Sequence, residues 1–263
     1  MQSKPTPELR GPQRRKLLRI PLFPWEIRGL PRLFMETKAH VQNAPPVIVI
    51  PGLWASDSTM RVLRRFLAKS GYAVGGWGLG RNLAGRGWAG DISDLSGGWA
   101  IGERDRPHKG EGAVPALCDK FGAEVKRRSE AIGRPIALVG WSLGGYLARE
   151  AARDHPEHVS CVITLGSPLI GGAKYTCLNR RYRRRGIDVD WIADQTIARH
   201  AEPIRCPVTS IYSKQDAIVH WSASIDQWSP QAEHFEVGCT HTALPFHAPT
   251  LRIIKAQLDM MAS

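Results

Sequence analysis

Three stretches, VIVI at Val47 to Ile50, PIALVG just before Trp141 and VSCVITL just before Gly166, are apolar almost without interruption. A strand with one face in water alternates apolar and polar residues. Unbroken β-branched runs need cover on both faces, as in a parallel sheet flanked by helices. Helical patterns stand between them. In DSTMRVLRRFLAKSGY, Met60, Leu63 and Leu67 recur at helical spacing, with Asp57 or Ser58 as the N-cap and Gly71 as the stop. YAVGGWGL reads as the next strand, a helix follows from about Glu111 to Ile132, and another in GGYLAREAARDHP is closed by Pro156. Strands in PVTSIYS and EHFEVG and a last helix from about Pro249 to Met261 complete the series. The predicted fold is α/β, a mostly parallel, doubly wound sheet.

With 263 residues, 43% of them hydrophobic, the chain can bury one large core without disulfide or metal staples. Residues 1–44 are rich in proline and arginine and read as a basic N-terminal arm packed irregularly on a domain of residues 45–263. Residues 78–110, rich in glycine and arginine, are too long for an ordinary connection. Residues 170–203 interrupt the alternation and form a candidate cap or lid. Insertions there leave the carboxyl edge of the sheet, so Tyr182, Trp191, Ile192 and Ile197 are expected to pack over the cleft with the arginines outside. The five cysteines are scattered and read as reduced thiols. No apolar run reaches the ~20 residues of a membrane span and no secretory h-region is seen. The expectation is a soluble cytoplasmic protein, in contact with membranes only peripherally.

The formal net charge is +12. Its sources are Arg10, Arg14, Arg15, Lys16 and Arg19 in the arm and the run Arg180, Arg181, Arg183, Arg184 and Arg185 around Tyr182. No helix-turn-helix, zinc finger or RNA-binding aromatic motif accompanies either cluster, so no nucleic-acid partner is expected. A solvated charged face is the plain reading, and an anionic membrane surface or acidic partner the alternative.

In LVGWSLGG, Ser142 stands in the pattern G-x-S-x-G between a predicted buried strand and a predicted helix. Three fixed positions recur by chance, but the strand-turn-helix context is that of a serine thrown to the tip of a sharp turn, with glycines where neighbours crowd. The helix N-terminus then directs amide donors at negative charge forming beside the serine. A serine needs a base, and the base an orienting carboxylate. Asp216 lies just beyond the strand VTSIYS and His241 just beyond EHFEVG, giving the order Ser, Asp, His at strand ends that converge on one crevice. Asp188, Asp190 and Asp194 compete as carboxylates, although charge compensation beside the arginine run is the plainer role of Asp188 and Asp190. His220 and His247 compete as bases, although a core or surface histidine is the commoner case. Trp54, Trp141, Trp191 and Trp221 fall near these loops, where they would line an apolar acyl pocket or simply pack.

With those residues in hand, the stretch 45–263 resembles an α/β-hydrolase, similar to small bacterial serine esterases and lipases. The resemblance implies Ser142 as nucleophile, His241 as base and Asp216 as its orienter. VIVIPGLWASD is similar to the family's first-strand turn, which implies that the Leu53 and Leu143 N–H groups stabilise the oxyanion. Here that turn reads Pro-Gly-Leu where many relatives have His-Gly. The implied reaction is two-step acyl transfer on a small-molecule or lipid-like ester, with no metal or organic cofactor. Thioesterase, lactonase, amidase and acyltransferase activities share the acyl-serine intermediate. A non-catalytic hydrolase-fold module binding an anionic surface is the rival of a different class.

Overall fold

The computed structural model describes residues 11–13, 23–39, 43–86, 95, 96, 99 and 108–262. The arm's basic cluster and most of the long glycine- and arginine-rich connection lie outside the described residues. Six strands, β1 (Val47–Ile50), β2 (Val74–Gly76), β3 (Ile136–Trp141), β4 (Val159–Leu165), β5 (Val208–Tyr212) and β6 (Ala232–Glu236), form one sheet in the order β2-β1-β3-β4-β5-β6. Every strand pairing within this sheet is parallel, where mostly parallel was expected.

Side chains alternate across a strand, so each buried run feeds two cores. Val47 and Val49 point into one, with Leu63, Phe66 and Leu67 of α3 (Arg61–Lys69) and Leu251, Ile254 and Leu258 of α8 (Ala248–Met260). Ile48 and Ile50 point into the other, with Phe121 and Val125 of α4 (Ala113–Ile132) and Leu147, Ala148 and Ala151 of α5 (Leu143–Asp154). Helices therefore cover both faces, as the unbroken runs require. Among the described residues no helix is long and apolar enough to cross a membrane.

Two local expectations change. α3 begins after Met60 without a side-chain cap, because Asp57 is engaged elsewhere, accepting the N–H groups of Trp77 at 3.0 Å and Gly78 at 3.1 Å. The described part of the arm is not irregular but folds into α1 (Phe23–Glu26) and α2 (Leu30–Glu36), and Leu33 joins the α3/α8 core. Between β4 and β5, residues 170–203 contain α6 (Asn179–Arg184) and α7 (Val189–Ala198).

Candidate active site

From β1 the chain continues to β2 on one side and later returns to β3 on the other. The loops that leave the carboxyl ends of β1 and β3 therefore diverge, opening a crevice between them. Ser142 lies there, between the last residue of β3 and the first of α5. Its backbone has φ 54° and ψ −121°, a region an L-residue enters only when its surroundings hold it. The Ser142 N–H donates to the Leu165 carbonyl at 2.8 Å, and its own carbonyl accepts from Gly145 at 3.0 Å. Close approach explains the flanking glycines. A Cβ at Gly140 would stand 2.3 Å from the Gly144 carbonyl oxygen, and one at Gly144 only 2.5 Å from that of Ile50.

Asp216 follows β5 and His241 follows β6, and the two side chains meet. His241 Nδ1 lies 2.6 Å from Asp216 Oδ2, both residues buried. Oδ1 of Asp216 accepts the N–H groups of Ile218 at 2.7 Å and Val219 at 2.9 Å. Both carboxylate oxygens are thus committed as acceptors, which makes Nδ1 the protonated nitrogen of His241 and leaves Nε2 to accept a proton. Gly166 joins this pair to the serine: a Cβ there would lie 3.1 Å from both Asp216 Oδ2 and His241 Nδ1. The residue before it, Leu165, receives the Ser142 N–H.

Three anchors hold the His241 loop. Trp141 Nε1 donates to the His241 carbonyl at 3.1 Å, Ser213 Oγ to that of Cys239 at 2.6 Å, and Glu26 accepts from Thr240 N at 2.9 Å and Thr240 Oγ1 at 2.6 Å. Glu26 belongs to α1, and nothing in its neighbourhood along the chain marks it as a partner of a loop so distant in sequence.

The turn after β1 borders the serine, since a Cβ at Gly52 would lie 3.1 Å from that of Ser142. Among the described residues neither the Leu53 nor the Leu143 N–H makes a backbone hydrogen bond. Leu143 opens α5, where an amide has no helical acceptor.

The competing residues go to other partners. Asp188 caps α7 by accepting from Asp190 N at 3.2 Å and Trp191 N at 3.0 Å, rather than only balancing charge. Asp190 pairs with Lys174 at 2.9 Å and Arg183 at 2.7 Å, and Asp194 is exposed. His220 Nδ1 lies 2.6 Å from Ser222 Oγ, and His247 Nδ1 3.1 Å from Thr250 Oγ1. The four tryptophans occupy different surroundings. Trp141 is buried beside His241, Trp54 is 53% exposed with the Arg181 guanidinium 6.0 Å from its ring, Trp191 packs edge-on to His108, and Trp221 stacks on Tyr212.

The candidate cap, residues 170–203, is tied to the Asp216 loop and to α5. Thr176 bridges to Val219, and Cys177 N donates to the Ile218 carbonyl at 2.8 Å, the two residues whose amides hold Asp216. At its far end Arg199 pairs with Glu150 and Asp154 of α5, both at 2.7 Å; Arg149 of α5 pairs in turn with Asp226, outside the segment, at 2.8 Å. Burial alone would raise the Glu150 carboxyl, but Arg153, Arg199 and Arg149 outweigh it and hold it below its ordinary value. Burial, with Arg149 and Arg153 nearby, pushes the His200 imidazole down to about 4. Ile197, expected to face the cleft, is 47% exposed.

A six-stranded parallel sheet covered by helices on both faces, with a strained serine at the turn between β3 and α5, is the α/β-hydrolase fold. The family model described as "alpha/beta hydrolase fold" matches residues 128–183, the segment from the end of α4 into α6. Over 98 residues the chain is 35% identical to the pimeloyl-[acyl-carrier protein] methyl ester esterase of Methylococcus capsulatus, 36% of either chain. It thus spans about a third of that relative's length. Among solved structures, the monoacylglycerol lipase of Paleococcus ferrophilus superposes with a TM-score of 0.53 at 16% identity, covering 83% of this chain and 96% of that one. A bacterial membrane phospholipase A does so with a TM-score of 0.55 at 15% identity, covering 93% of each.

Proposed function

We propose that this chain is a serine hydrolase of carboxylic esters. Ser142 attacks the ester carbonyl, and His241 Nε2 takes its proton and returns it to the leaving alcohol. Water then attacks the acyl-serine with the same base, releasing the acid. Asp216 orients the imidazole through Nδ1, and the Leu53 and Leu143 N–H groups receive the oxyanion. The observation that carries this reading is the buried Asp216–His241 pair at 2.6 Å beside a serine at φ 54°. A non-catalytic module would gain nothing from a strained serine or from a carboxylate with both oxygens spent on orienting a histidine. Labelling by a fluorophosphonate tests it: the wild-type protein is expected to label on Ser142 and Ser142→Ala to stay unlabelled. An unlabelled wild type would favour the binding module.

The partial match to a methyl ester esterase supports esters of small alcohols as substrates. Thioesters, lactones, amides and transfer to an alcohol remain open to the same acyl-serine chemistry. Trp141, next to Ser142 along the chain, and Trp54, in the turn after β1 that borders it, are the pocket residues this reading favours. A peripheral role at anionic surfaces is supported by the concavity of about 360 Å³ that Arg180, Arg181, Arg184 and Arg185 line with Cys177.

A further inference from the structure

The oxyanion turn is held by a residue outside it. We propose that Asn82, at the start of the long glycine- and arginine-rich connection, is a positioning residue that aims the Leu53 N–H; the proposal rests on the ester-hydrolase reading. Asn82 is fully buried. Its Nδ2 donates to the Pro51 carbonyl at 2.9 Å and its Oδ1 accepts from Ala84 N at 3.1 Å. An amide side chain is required, because Pro51 offers only an acceptor and Ala84 N only a donor. The backbone of Asn82 completes the clamp, accepting from Trp54 N at 2.7 Å and donating to the Ala55 carbonyl at 2.8 Å.

These bonds fix the peptide units on each side of Leu53. Within the turn, Ala55 N donates to the Gly52 carbonyl at 3.1 Å. In a trans peptide the N–H points opposite to the C=O, so fixing Gly52 O toward Ala55 turns the Leu53 N–H the other way. Pro51 O is pinned before that peptide, and Trp54 N and Ala55 O after it. The arrangement is strained: Trp54 at φ 64° and Ala84 at φ 55° are left-handed non-glycine residues, like Ser142 itself. Each is unfavourable for an L-residue and persists only where its surroundings over-determine it. Asn82 bonds to both. Its own segment has a firm base, since buried Trp77 donates from Nε1 to the Gly80 carbonyl at 2.8 Å and Asp57 binds the Trp77 and Gly78 amides.

An oxyanion donor works through geometry set before the reaction, so loosening the turn weakens transition-state binding more than substrate binding. Asn82→Ala keeps the backbone bonds and deletes the two side-chain bonds. It is expected to lower kcat on a p-nitrophenyl ester by about 10- to 100-fold with KM within about twofold, and to slow fluorophosphonate labelling by a similar factor. The phosphonyl adduct places its P=O where the oxyanion forms. Asn82→Asp preserves shape and the acceptor toward Ala84 but sets a carboxylate against Pro51 O, and is expected to lose at least as much. If Asn82→Ala does not fold, Asn82→Asp carries the test, with rates taken per titratable serine. Wild-type kcat and labelling in either folded variant, or a change confined to KM, would overturn the proposal while leaving the hydrolase reading intact. A wild-type protein that fails to label would overturn both.

Discussion

In the proposed mechanism Ser142, Asp216 and His241 divide the chemistry, and their substitutions should separate accordingly. Ser142→Ala removes the nucleophile and is expected to lower kcat by about 10⁵- to 10⁶-fold with melting temperature near wild type, measured on a soluble ester. Asp216→Asn replaces one accepting oxygen with a donor, facing either His241 Nδ1 or the Ile218 and Val219 amides, and should cost about 10⁴-fold. Gly140→Ala acts by contact instead. Its Cβ would meet the Gly144 carbonyl oxygen at 2.3 Å, so the elbow must shift, and both activity and melting temperature should fall. A Gly140→Ala protein as stable and active as the wild type would mean that the turn is more yielding than its geometry. Ser142, Asp216 and His241, the proposed nucleophile, acid and base, stand out in the sequence because each closely follows a predicted strand. Asn82 and Glu26 were not, since both act through bonds to segments distant along the chain, and a lone asparagine or glutamate carries no periodic signal.

α5 is where local pattern and tertiary chemistry part. Its apolar spacing and its closure before Pro156 were legible, and it runs from Leu143 to Asp154. The burial of Arg149, Glu150 and Arg153 was not, because charged residues read as a solvated face until the cap supplies Arg199 across the helix. Helix caps depart from the local pattern for a related reason: Asp57 and Asp188 are equally good local acceptors, and only the fold decides which amides reach them. Removing one member of a buried ion pair leaves its partner's charge uncompensated. Glu150→Ala is therefore expected to destabilise by about 3–5 kcal/mol in urea unfolding, more than an exposed glutamate would. His200, stacked on Trp228 with ring centroids 3.8 Å apart, adds a pH dependence. Its folded pKa is lowered to about 4 by burial and the neighbouring arginines, so below the ordinary imidazole value the unfolded chain binds the proton more strongly. That contribution is fully present above about pH 6.5 and is lost as pH falls toward 4. Melting temperature should drop across that window, and less so in His200→Phe, which keeps a ring on Trp228 and has no proton to bind; His155 and His247, also lowered by burial, and carboxylates held low by arginines, such as Glu124, Glu150 and Asp226, contribute to what remains.

For the molecule as a whole, the net charge of +12 matters through where it is placed. Several arginines are already paired: Arg149, Arg153 and Arg199 are buried in the α5 network, and Arg183 pairs with Asp190 at the surface. Arg180, Arg181, Arg184 and Arg185 instead line one concavity on the cap, and Arg181 reaches over the exposed ring of Trp54, beside the turn that borders Ser142. An exposed indole under one guanidinium of an arginine cluster suits a lipid-water interface, where the ring sits among headgroups and the arginines meet phosphate. Each basic residue near an anionic bilayer contributes about 1 kcal/mol at moderate salt. Replacing these four arginines with glutamine is therefore expected to weaken binding to vesicles containing phosphatidylserine at least tenfold and to flatten its salt dependence, measured by co-sedimentation at several ionic strengths. Arg183 is left in place because its pairing with Asp190 holds α6 to α7. Phosphatidylcholine vesicles should bind both proteins weakly and alike, and Trp54→Ala should lower the binding that survives at high salt, where screening leaves the apolar contact. Equal phosphatidylserine binding by the wild type and the glutamine variant would show that the cap's charge is only solvated.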